Sequence, residues 1–113
     1  MKNNIILKIC QEAKKASYSL ASASTKQKNK ALKLMAEGLL QNESKIRKEN
    51  QKDLEAGKKK KLSNALLDRL ELNSKRIQQM AKGLEDIIEL PDPVGKLVDQ
   101  WKRPNGLKIE KIR

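Results

Sequence analysis

The run Leu90-Pro91-Asp92-Pro93-Val94-Gly95 divides the chain into two kinds of pattern. Before it, apolar residues recur every three or four positions, as in amphipathic helices. After it they recur every second position, as in half-buried strands. Two prolines separated by a single residue cannot sit inside a helix, and each pushes the residue before it into an extended conformation. Leu97–Lys102 then reads as a strand, Pro104-Asn105-Gly106 as a turn, and Leu107–Ile112 as a returning strand with alternating apolar and charged residues. Asn-Gly tolerates the positive φ angles of a tight hairpin connection. The expected fold is mainly α, with about five helices, followed by a C-terminal β-hairpin. Its divisions are a helical layer over residues 1–90 and a hinge with hairpin over 91–113.

The first helix is expected over roughly residues 3–22, where Ile6, Ile9, Cys10, Ala13, Ala16 and Leu20 share one face. Cys10 lies on that face and reads as a buried small hydrophobe. Ser24 with Gln27 three residues on fits a capping box, and a second helix carries Ala31, Leu32, Met35 and Leu39 on one side. Asn42 can cap a third helix that Gly57 ends. Its stripe holds Asn50 with Asp53 nearby, so it requires a neighbouring surface or polar partners. Ser63 can cap a short helix containing Ala65, Leu66, Leu67 and Leu70, in which Asp68 and Arg69 are adjacent and so do not face each other. Asn73 or Ser74 starts a fifth helix with Ile77, Met80, Ala81, Leu84, Ile87 and Ile88 at helical spacing, weakened slightly by Gly83.

With 113 residues, the chain has room for one small domain. Leu, Ile and Val contribute 27 residues and Phe none, so any core is thin. The formal charge of +12 raises the prospect of nucleic-acid or anionic-membrane binding. Against it, Lys outnumbers Arg by 21 to 5, and Tyr18 and Trp101 are the only aromatics on which bases could stack. Nucleic acid is therefore not the expected partner, and no segment approaches a membrane span. One cysteine and no histidine exclude a disulfide framework, a cysteine cluster for metal and imidazole catalysis. The apolar start, interrupted at Lys8, is too short for a signal peptide, which makes the cytoplasm the default location. Lys58–Lys61 reads as a solvated loop favourable to the preceding helix dipole, and it has no glycine-rich cradle around it.

A two-stranded hairpin is marginal in water, and its unpaired edges invite further strands. The strands are thus expected to belong to a larger sheet supplied by other polypeptide. Helical but loose packing is expected of the chain alone.

Ala16-Ser17-Tyr18, Leu66-Leu67-Asp68-Arg69-Leu70 and above all Leu90–Gly95 resemble the glutamate-5-semialdehyde dehydrogenase (gamma-glutamyl phosphate reductase) family. Glu49–Leu54 resembles a segment shared more widely in the aldehyde dehydrogenase superfamily, and Gly106–Arg113 the family's strand leading toward the nucleotide-binding region. The ordered match runs from about Cys10 to Arg113. The resemblance implies the N-terminal part of an α/β aldehyde-dehydrogenase-like fold, in which residues 1–90 form a helical layer of the cofactor-domain region and 91–113 a strand pair of the oligomerisation region. It implies a proline-biosynthesis enzyme that reduces L-glutamyl 5-phosphate with NADPH, giving glutamate 5-semialdehyde and phosphate. In such enzymes a cysteine thiolate displaces phosphate, and hydride then reduces the thioester.

The family's catalytic cysteine, its Rossmann-type cofactor domain and its substrate-binding segments match positions beyond Arg113, and Cys10 does not match that cysteine. No catalytic, cofactor-binding or metal residue is therefore assigned to this chain, and no NADPH is expected to bind it alone. Asp68, Arg69 and Asp92 match family positions and are expected to be structural. The expected partners are the missing C-terminal part of the enzyme, in the same or a separate chain, and further copies in a homo-oligomer. The competing reading is a small basic helical module that binds nucleic acid or an acidic partner.

Overall fold

A computed structural model describes residues 2–113; Met1, the first residue of the apolar start, lies outside them. Five helices precede two strands: α1 Lys2–Ala21, α2 Thr25–Gln41, α3 Glu43–Lys59, α4 Asn64–Leu70, α5 Ser74–Glu89, β1 Leu97–Lys102 and β2 Lys108–Ile112. The chain divides into two compact units, residues 29–90 and residues 1–28 with 91–113.

In the unit formed by residues 29–90, Ile77 is completely buried, with Ala36 and Ala81 beside it in the buried set. The stripes of α2 and α5 are only partly covered. Leu32, Leu39, Leu84 and Ile88 are half-buried, whereas Met35, Met80 and Ile87 are exposed. Asn50 on α3 is the buried polar residue of this unit. Its amide nitrogen donates to the Leu70 carbonyl at 2.9 Å, and its carbonyl accepts from the Leu72 N–H at 2.8 Å. Those two bonds satisfy the backbone where α4 ends, which is the polar partnership the weak stripe of α3 requires.

Three expectations around α3 are corrected. Gly57 does not end the helix, which continues to Lys59, and it is buried because Leu67 and Leu62 pack against its face. A Cβ there would lie 3.0 Å from Leu67 Cδ2 and 3.1 Å from Leu62 Cδ1. The helix terminates instead in a Schellman motif: Leu62 N–H donates to the Gly57 carbonyl at 3.1 Å and Lys61 N–H to that of Lys58 at 3.0 Å. Lys61 takes the left-handed conformation usually given to glycine, at φ 57. The lysine run is therefore not all loop, since Lys58 and Lys59 form the last helical turn. Asn42 precedes α3 but makes no side-chain cap; its amide turns back to donate to the Gly38 carbonyl at 2.8 Å.

The other caps follow the expected residues. Ser63 Oγ accepts from Leu66 N–H, and Asn73 Oδ1 from Arg76 N–H. At α2, Gln27 N–H donates to Ser24 Oγ at 3.1 Å while Ser24 N–H donates to Gln27 Oε1 at 3.0 Å, closing the box reciprocally.

In the other unit, residues 4–21 of α1 are all exposed, Cys10 included, so the expected burial of Cys10 is overturned. Its apolar stripe is formed as expected, but Ile6, Ile9 and Leu20 remain open to solvent. β1 and β2 pair antiparallel with Trp101 opposite Ile109, and a register shift lies between Leu97 and Asp99. Gly106 N–H donates to the Arg103 carbonyl at 2.9 Å across the turn. Only Gly106 takes a positive φ there, at 88, and Asn105 does not. Pro104 at the second turn position favours a type I turn, after which a left-handed glycine realigns the strands. Every hairpin residue except half-buried Ile109 is exposed. The two strands form the whole sheet among the described residues.

Candidate functional site

Chemistry-bearing residues gather at structural junctions. Asp92, between the two prolines, is the most heavily bonded carboxylate in the unit that contains it. Its Oδ2 accepts from Thr25 Oγ1 at 2.7 Å and from Lys28 Nζ at 3.0 Å, and its Oδ1 accepts from Val94 N–H at 3.0 Å. The last bond is an Asx-turn of the kind aspartate forms two residues ahead of itself. It shapes the Pro91–Gly95 corner, where Gly95 adopts φ 81. Gly95 N–H then donates to the Arg113 carbonyl, and Arg113 N–H to that of Lys96, closing the open end of the hairpin. Thr25 and Lys28 belong to the first turn of α2, whose dipole also favours a carboxylate.

The Thr25 hydroxyl, then Lys28 and the Val94 amide, hold the Asp92 carboxyl down to about 2. Because the folded value lies below the ordinary 3.8, the associated stability is fully present above about pH 4 and is lost as pH falls toward 2. An NMR titration of the Asp92 carboxyl carbon is expected to show a midpoint near 2. Asp92→Asn is expected to remove this acid-labile contribution, seen as a flatter loss of hairpin amide protection between pH 4 and 2. A midpoint near 3.8 would show that the three bonds do not form in solution.

At the α4–α5 junction Asp68 does not pair with Arg69. Its carboxylate instead accepts from Arg76 Nη2 at 2.9 Å. Arg76 Nη1 also donates to the backbone carbonyls of Asp68 and Glu71. One guanidinium thus collects acceptors at the C-terminal end of α4, where carbonyls lack helical partners. Asp68 and Asp92 both find partners within the chain. Neither Arg76 nor the pair Thr25 and Lys28 is marked out by a local sequence pattern, because their acceptors lie 8 and more than 60 residues away.

The unit of residues 29–90 carries an apolar groove of about 750 Å³ between α2, α3 and α5, lined by Met35, Leu39, Met80, Leu84 and Ile87. Gly38 and Gly83 open onto it. A smaller polar recess near Asn50 and Asn73 is lined by Arg47 and Lys48, but both amide atoms of Asn50 already bond the backbone. Among the described residues no three metal-ligating side chains cluster, and every buried side-chain polar atom has a hydrogen-bond partner.

A dinucleotide does not fit the glycines of this chain. Gly38 and Gly83 lie inside helices, Gly57 lies under leucines, Gly95 lies in the corner before β1, and Gly106 lies in the hairpin turn. None occupies a strand-to-helix loop whose amides would face a pyrophosphate. No step through a cofactor is derived for these residues.

No family model matches the chain. Individual relatives do. Gamma-glutamyl phosphate reductase of Heliobacterium modesticaldum is 52% identical over 103 residues, which is 91% of this chain and 25% of that protein. The enzyme of the same name from Clostridium botulinum is 50% identical over 111 residues, covering 98% of this chain and 27% of its own length. Among solved structures, a crystal structure of gamma-glutamyl phosphate reductase from Thermotoga maritima superposes with a TM-score of 0.91 at 39% identity, over 95% of this chain and 26% of that one. The chain spans about a quarter of the length of the curated relatives it matches. It is a homologue of that quarter, and its five helices and hairpin share the fold of the corresponding part of an aldehyde-dehydrogenase-like enzyme.

Proposed function

We propose that this chain, homologous along 91–98% of its length to gamma-glutamyl phosphate reductases, supplies the helical layer and a strand pair of such an enzyme. On this reading the reaction is NADPH-dependent reduction of L-glutamyl 5-phosphate to glutamate 5-semialdehyde and phosphate, in proline biosynthesis and in the cytoplasm. The nucleophilic cysteine and the cofactor site come from the remaining polypeptide, in the same or a separate chain. The observation that carries the proposal is identity of about 50% sustained over nearly the whole chain, against about a quarter of each relative.

The role left to these residues is architectural. Helices α2–α5 present an apolar surface of half-exposed side chains. The hairpin offers unpaired edges that can extend a larger sheet or an oligomer interface. Asp92 fixes the corner from which the hairpin departs.

The test is NADP-dependent oxidation of glutamate 5-semialdehyde in the presence of phosphate. The purified 113-residue chain is expected to stay at the no-protein baseline. The same chain, joined in frame to the remaining three quarters of the Heliobacterium modesticaldum enzyme in place of that enzyme's own matching segment, is expected to show activity. Turnover by the chain alone, or an inactive but folded joined protein, would overturn the proposal.

A further inference from the structure

Glycine inside a helix costs about 0.5–1 kcal/mol relative to alanine, so a helix-interior glycine calls for a packing reason. Gly57 has one within the chain, since a Cβ there would press on Leu67 and Leu62. Gly38 in α2 and Gly83 in α5 have none: a Cβ at either would meet nothing within 4 Å. Yet both line the same groove.

The groove itself is a second, independent observation. Met35, Met80 and Ile87, three apolar side chains from the stripes of α2 and α5, stay about half exposed and line it together. Asn42, which also lines the groove, donates its amide to the Gly38 carbonyl. These side chains form one contiguous apolar patch rather than hydrophobes scattered singly over the surface.

We propose that this groove is a docking site for an apolar segment of the polypeptide that makes up the other three quarters of the reductase. The two glycines would let that segment approach the helix backbones closely. The inference rests on the functional reading above and assigns that reading a contact surface. The relatives are about four times as long as the part matched here, so each carries ample polypeptide to cover the groove. A second copy of this chain is the weaker occupant, because two chains of net charge +12 repel.

The test is peroxide oxidation of Met35 and Met80, followed residue by residue by mass spectrometry. In the 113-residue chain both are expected to oxidise at nearly the rate of an exposed methionine. In the joined protein described above, at least tenfold slower oxidation of both is expected, and Gly38→Leu or Gly83→Leu is expected to restore the fast rate by occupying the space of the segment. A parallel measurement avoids dependence on the joined protein's folding. In intact Thermotoga maritima reductase, a cysteine placed at the position aligned with Ile87 is expected to react with maleimide at least tenfold more slowly than one in a flexible peptide.

Fast labelling in both the joined and the intact enzymes would overturn the inference. So would protection that appears in the 113-residue chain alone and grows with its concentration, which would make a second copy the occupant. Slow methionine oxidation in a folded but inactive joined protein would sustain the groove and overturn the functional reading. Fast oxidation in an active one would do the opposite.

Discussion

Asn50→Leu is expected to destabilise the unit of residues 29–90 by about 3 kcal/mol, although leucine has the same branched side-chain skeleton as asparagine. Asn50 is 6% exposed and bonds both the Leu70 carbonyl and the Leu72 amide. Leucine would leave both backbone groups without a protein partner, and each such loss costs about 1–3 kcal/mol when the group is shielded from water. Hydrogen exchange at the Leu72 amide reads the effect directly, with roughly 100-fold faster exchange expected. Asn50→Asp separates hydrogen bonding from packing. A carboxylate still accepts from Leu72 but repels the Leu70 carbonyl, whereas a protonated carboxyl can donate to it. Folding therefore favours the protonated form and raises that carboxyl's folded value. The variant's stability is expected to recover as pH falls through that raised value. Exchange at Leu72 unchanged within threefold in Asn50→Leu would show that the bridge contributes nothing.

The elements were legible in the sequence where a local rule governs them. The capping box of Ser24 and Gln27, the caps at Ser63 and Asn73, and the proline stop after Glu89 all depend on residues within four positions of one another. Local rules failed where tertiary packing or a competing bond decides. Gly57 reads as a helix end because glycine usually is one, but here it is kept small by leucines that reach it from Leu62 and α4. Asn42 reads as a cap, yet the Gly38 carbonyl competes successfully for its amide. The stripe of α1 was legible, and its burial was not, because periodicity shows which face is apolar without showing what covers it. The Asp92 cluster was half legible: the Pro-Asp-Pro corner is a sequence signal, while Thr25 and Lys28 are joined to it only by the fold. The resemblance placed the chain within a larger enzyme through residues such as Leu66–Leu70 and Leu90–Gly95, which individually specify only a short helix and a turn.

Ile77→Ala is expected to cost about 4 kcal/mol, near the upper end of the 2–5 kcal/mol range for such truncations. Ile77 is the largest fully buried side chain, and its companions in the buried apolar set are the alanines Ala36 and Ala81. Because Ile77 is completely buried, its truncation leaves a cavity whose lining loses packing contacts outright. Such a loss is a large fraction of the 5–15 kcal/mol that ordinarily separates folded from unfolded domains. Loss of the far-UV helical signal at markedly lower urea concentration would report it. Ile77→Val, one methyl smaller, is expected to cost about 1 kcal/mol. Ile87→Ala, ten residues further along α5, provides the contrast. Ile87 is 49% exposed and faces the groove, so its truncation in the 113-residue chain is expected to stay within about 0.5 kcal/mol. Within the whole enzyme the same truncation is expected to cost several times more, because the covering segment would lose the side chain it packs on. Equal costs at Ile77 and Ile87 in the isolated chain would mean that α5 buries both faces, and neither the thin core nor the open groove would survive that result.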